Sequence, residues 1–250
     1  MRLAVPDIDA ATALARTWAE GASPVDAWET TPFYGAERLL RTGEADLAFL
    51  PTLTVLRHPD DFSVIPGVGL TGSVYGPVQL DVRSGLDTFE RVGFDPHFPQ
   101  EVLLAQVLLK ELYQAQPQFV PIQRGAAIPR DLDARLRVDE AAEPGSDVLT
   151  LDLAREWFEL TTRPFVWALL AAPAGTVTPA EAKLLRDEAL LDSPPPDLGT
   201  EPTTGGVTLA AYAHAGLDEW ANYLFYHRAL EALPGIPFVE LPEDDEKRDE

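Results

Sequence analysis

The stretch 147–172, DVLTLDLAREWFELTTRPFVWALLAA, limits the possible folds more than any other part of the chain. Asp147 to Leu151 reads as a short strand. Asp152 follows as a helix N-cap, because its short carboxylate can accept from the amides of the first helical turn. Leu153, Trp157, Leu160 and Thr161 then recur at helical spacing. Pro164 ends the helix, since its ring disfavours the helical region for Arg163. Phe165 to Ala172 carries no charge at all. That length suits a strand, and a strand covered on both faces needs no polar alternation. The run is therefore expected at the centre of a sheet, with other elements packed around it.

The rest of the chain alternates strands and helices. Strands are expected at Arg2–Val5, Val25–Thr30, Asp46–Leu50, Phe62–Ile65, Phe89–Phe94, Pro117–Ile122 and Leu132–Val138, with Ser73–Val82 extended. Helices are expected at Ile8–Ala19, at Phe33–Arg41 closed by Gly43, and at Glu101–Tyr113. Another begins at Pro179 and runs to Leu191. Thr208–Ala215 and Leu217–Leu233 read as two helices separated by Gly216. The segment 193–206 is a turn-rich loop, and the acidic tail 243–250 is expected to be disordered. Alternation without a glycine-serine linker indicates α/β architecture.

Composition excludes several functions. The net charge of −22 opposes binding to nucleic acid or to anionic membrane surfaces, both of which need basic patches. Lys110, Lys183 and Lys247 are the only lysines, so arginine carries most of the positive charge; such a surface suits high salt. The chain has no cysteine, which removes thiolate nucleophiles, disulfides and iron–sulfur ligation. Apolar runs are too short to span a bilayer, and the first residues lack a basic region followed by an apolar stretch. A cytoplasmic location is expected.

The motifs carry little chemistry by themselves. Gly67, Gly69 and Gly72 form G-x-G-x-x-G after a strand. A dinucleotide site would need a helix opening at once, and Ser73–Val78 is β-branched and broken by proline. A mobile crossover between sheet elements is the expectation there. His58, His97, His214 and His227 lack the paired spacing a metal needs, so no metal is expected. The carboxylates Asp60-Asp61 and Asp139-Glu140 read as solvated faces.

Five segments share a resemblance. They are GEADLAFLPTL at 43–53, IPGVGLTGSVYGPVQL at 65–80, VGFDP with LLAQVLLKELY within 92–113, LDARLRVDEA at 132–141, and DLAREWFELTTRPFVWALLA at 152–171. In order and spacing they resemble the chorismate dehydratase family of the futalosine route to menaquinone. The likeness covers the chain to about residue 172, and the helix ending in T-x-x-PFV is its most specific part. The resemblance implies a two-lobed type II periplasmic-binding-protein-like fold with a central cleft. It also implies removal of water from chorismate to give an enolpyruvyl-benzoate, without a cofactor. A site for that dianion calls for hydrogen-bond donors and a free helix N-terminus.

The resemblance also points to site residues. Asp9 stands where the family has asparagine, and Gly76 where it has serine. His97-Phe98-Pro99-Gln100-Glu101 replaces a Ser/Thr-rich helix start, so Glu101 would sit as an internal anion at that helix. Thr52, Tyr75, Gly76, Gln100 and Glu101 are the expected ligand-binding residues; the catalytic group is undetermined. An arginine reaching the cleft, with Arg83, Arg124 and Arg163 as candidates, would favour an anionic ligand such as chorismate or another carboxylate. Residues 1–82 and 171–250 are expected to form one lobe and 83–170 the other, with crossovers near 81–84 and 165–172. Two function classes stay open: a lyase with a diverged pocket, and a non-catalytic paralogue binding a small molecule as sensor or carrier. A homodimer stays open as well.

Overall fold

The computed structural model describes residues 1–72, 78–85, 88, 90–125, 128–138, 140, 147–192 and 206–242, the side chains of 191 and 192 excepted. Tyr75, Gly76, most of the loop 193–206 and the tail 243–250 lie outside these residues. In chain order the first elements are β1 (Arg2–Val5), α1 (Asp9–Glu20), β2 (Ala27–Thr30), α2 (Phe33–Thr42), β3 (Leu47–Pro51), α3 (Thr52–Arg57) and β4 (Phe62–Gly72). Then come β5 (Val78–Arg83), β6 (Arg91–Phe94), α4 (Pro99–Tyr113), β7 (Gln118–Pro121), β8 (Ala134–Val138), β9 (Val148–Asp152) and α5 (Leu153–Thr161). The chain continues through β10 (Phe165–Pro173), α6 (Pro179–Asp192), β11 (Gly206–Thr208) and α7 (Ala211–Tyr226).

Two sheets make two lobes. The first has six strands in the order β11-β4-β10-β3-β1-β2, the second five in the order β7-β6-β8-β5-β9. The uncharged run is β10, buried from Phe165 to Ala172 and flanked by antiparallel β3 and β4. Asp152 caps α5 by accepting from the amides of Ala154 and Arg155, both at 3.0 Å. Where α5, β10 and α7 meet, Trp157 stands edge-on to Phe165, Trp220 and Tyr223 at 5.5, 5.7 and 5.5 Å. Such pairs add about 1 kcal/mol each beyond the area they bury.

Three expectations need correction. The glycine-rich segment after Ile65 is strand, not crossover. Gly67 takes φ +77° at an irregularity, and a Cβ at Gly69 would stand 2.9 Å from the Ala168 carbonyl of the neighbouring strand. Gly69 therefore allows the close approach of β4 to β10. Thr208 belongs to β11, paired with β4, and α7 runs through Gly216 without a break. Glycine is needed there because any Cβ would collide with the Pro164 carbonyl oxygen. The sheet changes also fall earlier than expected. All of β5 pairs within the second sheet and all of β10 within the first, so the last first-sheet residue before the first passage is Gly72, and the second passage falls between Asp152 and Phe165.

Candidate functional site

Parallel strands place the site. In the first sheet β1 runs parallel to β2 and β3; in the second, β6 runs parallel to β7 and β8. Ligands of open α/β sheets bind outside the carboxyl ends of such strands. A cavity of about 590 Å³ opens there. The first lobe contributes Pro6, Asp7 and Ile8 after β1, and residues 30–33 at the end of β2. The second contributes Phe98, Arg124 and Glu140. Helices α1 and α2 begin on this wall, N-capped by Ile8 and Pro32, and neither has a side-chain cap. Uncapped amino ends present N–H groups and the positive end of the helix dipole.

Among the described residues, Arg124 is the cation lining this cavity. Its guanidinium lies 5.5 Å from the centre of the Phe98 ring, and Nη2 donates to the Val138 carbonyl at 3.3 Å. Glu140 faces it, with Oε1 3.9 Å from Arg124 Nε. The other carboxylate oxygen accepts from the Gly125 amide at 3.1 Å and is paired with Arg135. Behind them, Arg137 holds Asp81 through Nε at 2.8 Å and Nη2 at 3.1 Å, and also bonds Gln79. Thr150 Oγ1 donates to Asp81 at 2.9 Å, and Arg137 Nη1 to the Glu140 carbonyl at 2.8 Å. Arg135, Arg137 and Asp81 are all buried. Burial on this scale is tolerated because each charge has an opposite partner.

The expected site residues scatter. Thr52 is buried and donates to the Val166 carbonyl at 2.7 Å. Gln100 accepts from the Leu53 amide at 2.9 Å and donates to the Trp167 carbonyl at 2.8 Å, so both ends of its side chain are engaged. Gln100 and Glu101 line a smaller cavity of about 250 Å³ with Tyr34, Glu37 and His97; Phe33 and Phe98 border both cavities. Asp9 is exposed at the first turn of α1, next to Ile8 of the cleft wall. Tyr75 and Gly76 lie outside the described residues. Of the three arginine candidates, Arg83 bonds the carbonyls of Ile128, Pro129 and Leu132, and Arg163 lies over Tyr212. Arg124 alone of the three lines the cleft.

Sequence reasoning missed Asp7, Arg135, Arg137 and Glu140. Glu140 was expected on a solvated face, yet it is held in the cleft wall by the ring of donors around it. Arg135 and Arg137 alternate with Ala134, Leu136 and Val138, a pattern that reads as one wet face of a strand. The signal that could have marked them is their register opposite Asp81 and Gln79 in β5, which pairing alone supplies. Among the described residues, no group of three His, Asp or Glu side chains could hold a metal ion.

With the cleft in place, comparison with known proteins decides the family. Residues 34–193 match the family described as menaquinone biosynthesis. The chain belongs to that family. A chorismate dehydratase of Thermus thermophilus is 27% identical over 155 residues, which cover 54% of this chain and 56% of that protein. The chain thus matches little more than half the length of this curated relative. Among solved structures, protein AF1704 of Archaeoglobus fulgidus superposes with a TM-score of 0.64 at 13% identity, covering 92% of this chain and 98% of that one. The periplasmic aliphatic sulphonate binding protein SsuA of Escherichia coli gives 0.61 at 14% identity, covering 100% and 95%. These likenesses show the fold of periplasmic binding proteins. No helix among the described residues is long and apolar enough to cross a membrane.

Proposed function

We propose that this menaquinone-biosynthesis family protein binds an anionic carboxylate ligand, chorismate by family likeness, and removes water from it as a chorismate-dehydratase-like lyase. The observation that carries the reading is Arg124 reaching the cleft where α1 and α2 present uncapped amino ends. Guanidinium and backbone N–H groups together suit a carboxylate. Elimination takes a proton from one carbon and the hydroxyl from its neighbour, which leaves as water with a proton supplied to it. Among the described residues, Asp7 and Glu140 are the cleft carboxylates able to accept or return that proton.

A non-catalytic binding role is the second reading. It is favoured by those same two carboxylates, which repel a dianion, and by Gln100 and Thr52 being committed to internal bonds. One experiment separates the two. Purified protein is incubated with chorismate at low and molar salt, binding is followed by calorimetry and product by chromatography. Enolpyruvyl-benzoate formation supports the lyase; binding without product supports the sensor or carrier; neither overturns both.

A further inference from the structure

The carboxylate of Glu140 sits in a receptor built for a carboxylate. One oxygen takes the Gly125 amide at 3.1 Å and the Arg135 guanidinium; the other faces Arg124 at 3.9 Å. Arg135 is anchored on β8 with its side chain only 9% exposed, so its position is fixed and its charge needs an anion nearby. Glu140 is 14% exposed and forms part of the cleft wall. Asp81, the other acid of this network, is different in kind. Two bonds from Arg137 and one from Thr150 hold it within the sheet.

We propose that Arg124, Arg135 and the Gly125 N–H form the subsite for one carboxylate of the ligand. Glu140 occupies it as a built-in anion, and the ligand carboxylate takes its place. The inference deepens the preceding reading and rests on it for chorismate as the natural ligand. The exchange conserves the charge pairing of both guanidiniums: one carboxylate leaves, another arrives, and Glu140 turns toward the solvent of the cleft. Affinity is then set by competition between a tethered carboxylate and a free one.

The test uses benzoate, a single carboxylate on a ring, beside chorismate, with calorimetry at fixed ionic strength on the whole chain. Glu140→Gln keeps the size of the side chain and removes its charge. It should bind benzoate about tenfold more tightly than the parent, the effect of losing one charge-assisted competitor. Glu140→Asp, which keeps the charge but withdraws it from the Gly125 amide, should gain less. Adding Arg124→Gln to Glu140→Gln should abolish the gain, and Arg124→Gln alone, at a partly exposed side chain, should weaken benzoate binding in a folded protein. Unchanged or weaker binding in Glu140→Gln overturns the exchange. If benzoate gains but no variant binds chorismate, the subsite stands and the chorismate reading falls. If chorismate binds parent and Glu140→Gln alike, that reading stands and the exchange falls.

Discussion

Gln100, on the first turn of a second-lobe helix, donates a 2.8 Å hydrogen bond to the backbone oxygen of Trp167 in the central strand of the first lobe. Its other amide atom accepts from Leu53, in the first turn of α3, at 2.9 Å. One side chain thus caps a helix and a strand carbonyl of the opposite lobe at once. The smaller cavity lies against this strut, so the lobes are tied together beside the cleft.

Replacing Gln100 with alanine should destabilise the protein by about 2–4 kcal/mol, because a buried donor and a buried acceptor lose their partner together. Gln100→Glu keeps the acceptor, cannot donate to Trp167, and should recover less than half of the loss. Urea denaturation followed by tryptophan fluorescence measures both. A loss below about 1 kcal/mol for the alanine variant would show that water replaces the amide.

Asp81→Ala should cost about 3–5 kcal/mol, since it leaves the Arg137 charge buried without its main partner. The double variant Asp81→Leu/Arg137→Met removes both charges and should recover most of that loss. If the double variant is as unstable as the single one, the network holds the strands through Gln79 and Thr150 more than through the ion pair.

His214 sets a pH dependence. Burial pushes its imidazole below the ordinary value of 6.5, and Asp218 opposes the shift in part. The unfolded chain therefore binds a proton more readily than the folded one between the lowered value and 6.5. Stability from this group is complete above 6.5 and is lost as pH falls through that window. The ring sits 5.2 Å from Phe238, so His214→Phe keeps an aromatic partner and should flatten this part of the acid-side slope. Denaturation midpoints at neutral pH and at about pH 5 would check it; an unchanged slope would assign it to other groups.

Salt should stabilise the chain. A net charge of −22 repels itself, and the Debye length falls from roughly 30 Å at 0.01 M to 3 Å at 1 M ionic strength. The exposed ion pairs, such as Arg38 with Glu44 and Arg41 with Asp61, weaken under the same screening but are worth at most about 1 kcal/mol each. The melting midpoint should therefore rise between low and molar sodium chloride. A flat or falling midpoint would mean that local pairing outweighs the global repulsion.

The framework was legible where the signal is local. Asp152 caps the helix that its sequence context predicts, and the uncharged run from Phe165 lies inside the first sheet. Both follow from hydrogen bonding and burial that neighbouring residues determine. The glycine segment was misread because its strand character comes from β10 and β11, remote partners that supply its hydrogen bonds. Gly216 looked like a helix break for a similar reason: its need for a missing Cβ arises from Pro164, far away in the chain.

The site was less legible than the fold. Arg124 could be named as a candidate because arginine is the natural partner of an anion, but only folding shows that it, and not Arg83 or Arg163, lines the cleft. Glu140 follows Val138 by two residues and looks like part of an acidic surface run. Its place in the cleft wall depends on Arg135 being turned inward on a strand whose alternation suggests the reverse. Gln100 lines the smaller cavity, and its two amide ends find backbone partners that no spacing rule relates to it.

The contact of Gly216 with Pro164 bears on the connection between the two sheets. Pro164 follows the last helix of the second lobe and immediately precedes the central strand of the first. Helix α7 rests on its carbonyl with no side chain between them, and the ring of a proline holds φ at about −65°. Two backbones in direct contact leave no compliant layer to deform. This end of the connection between the two sheets is therefore a fixed post, packed backbone against backbone.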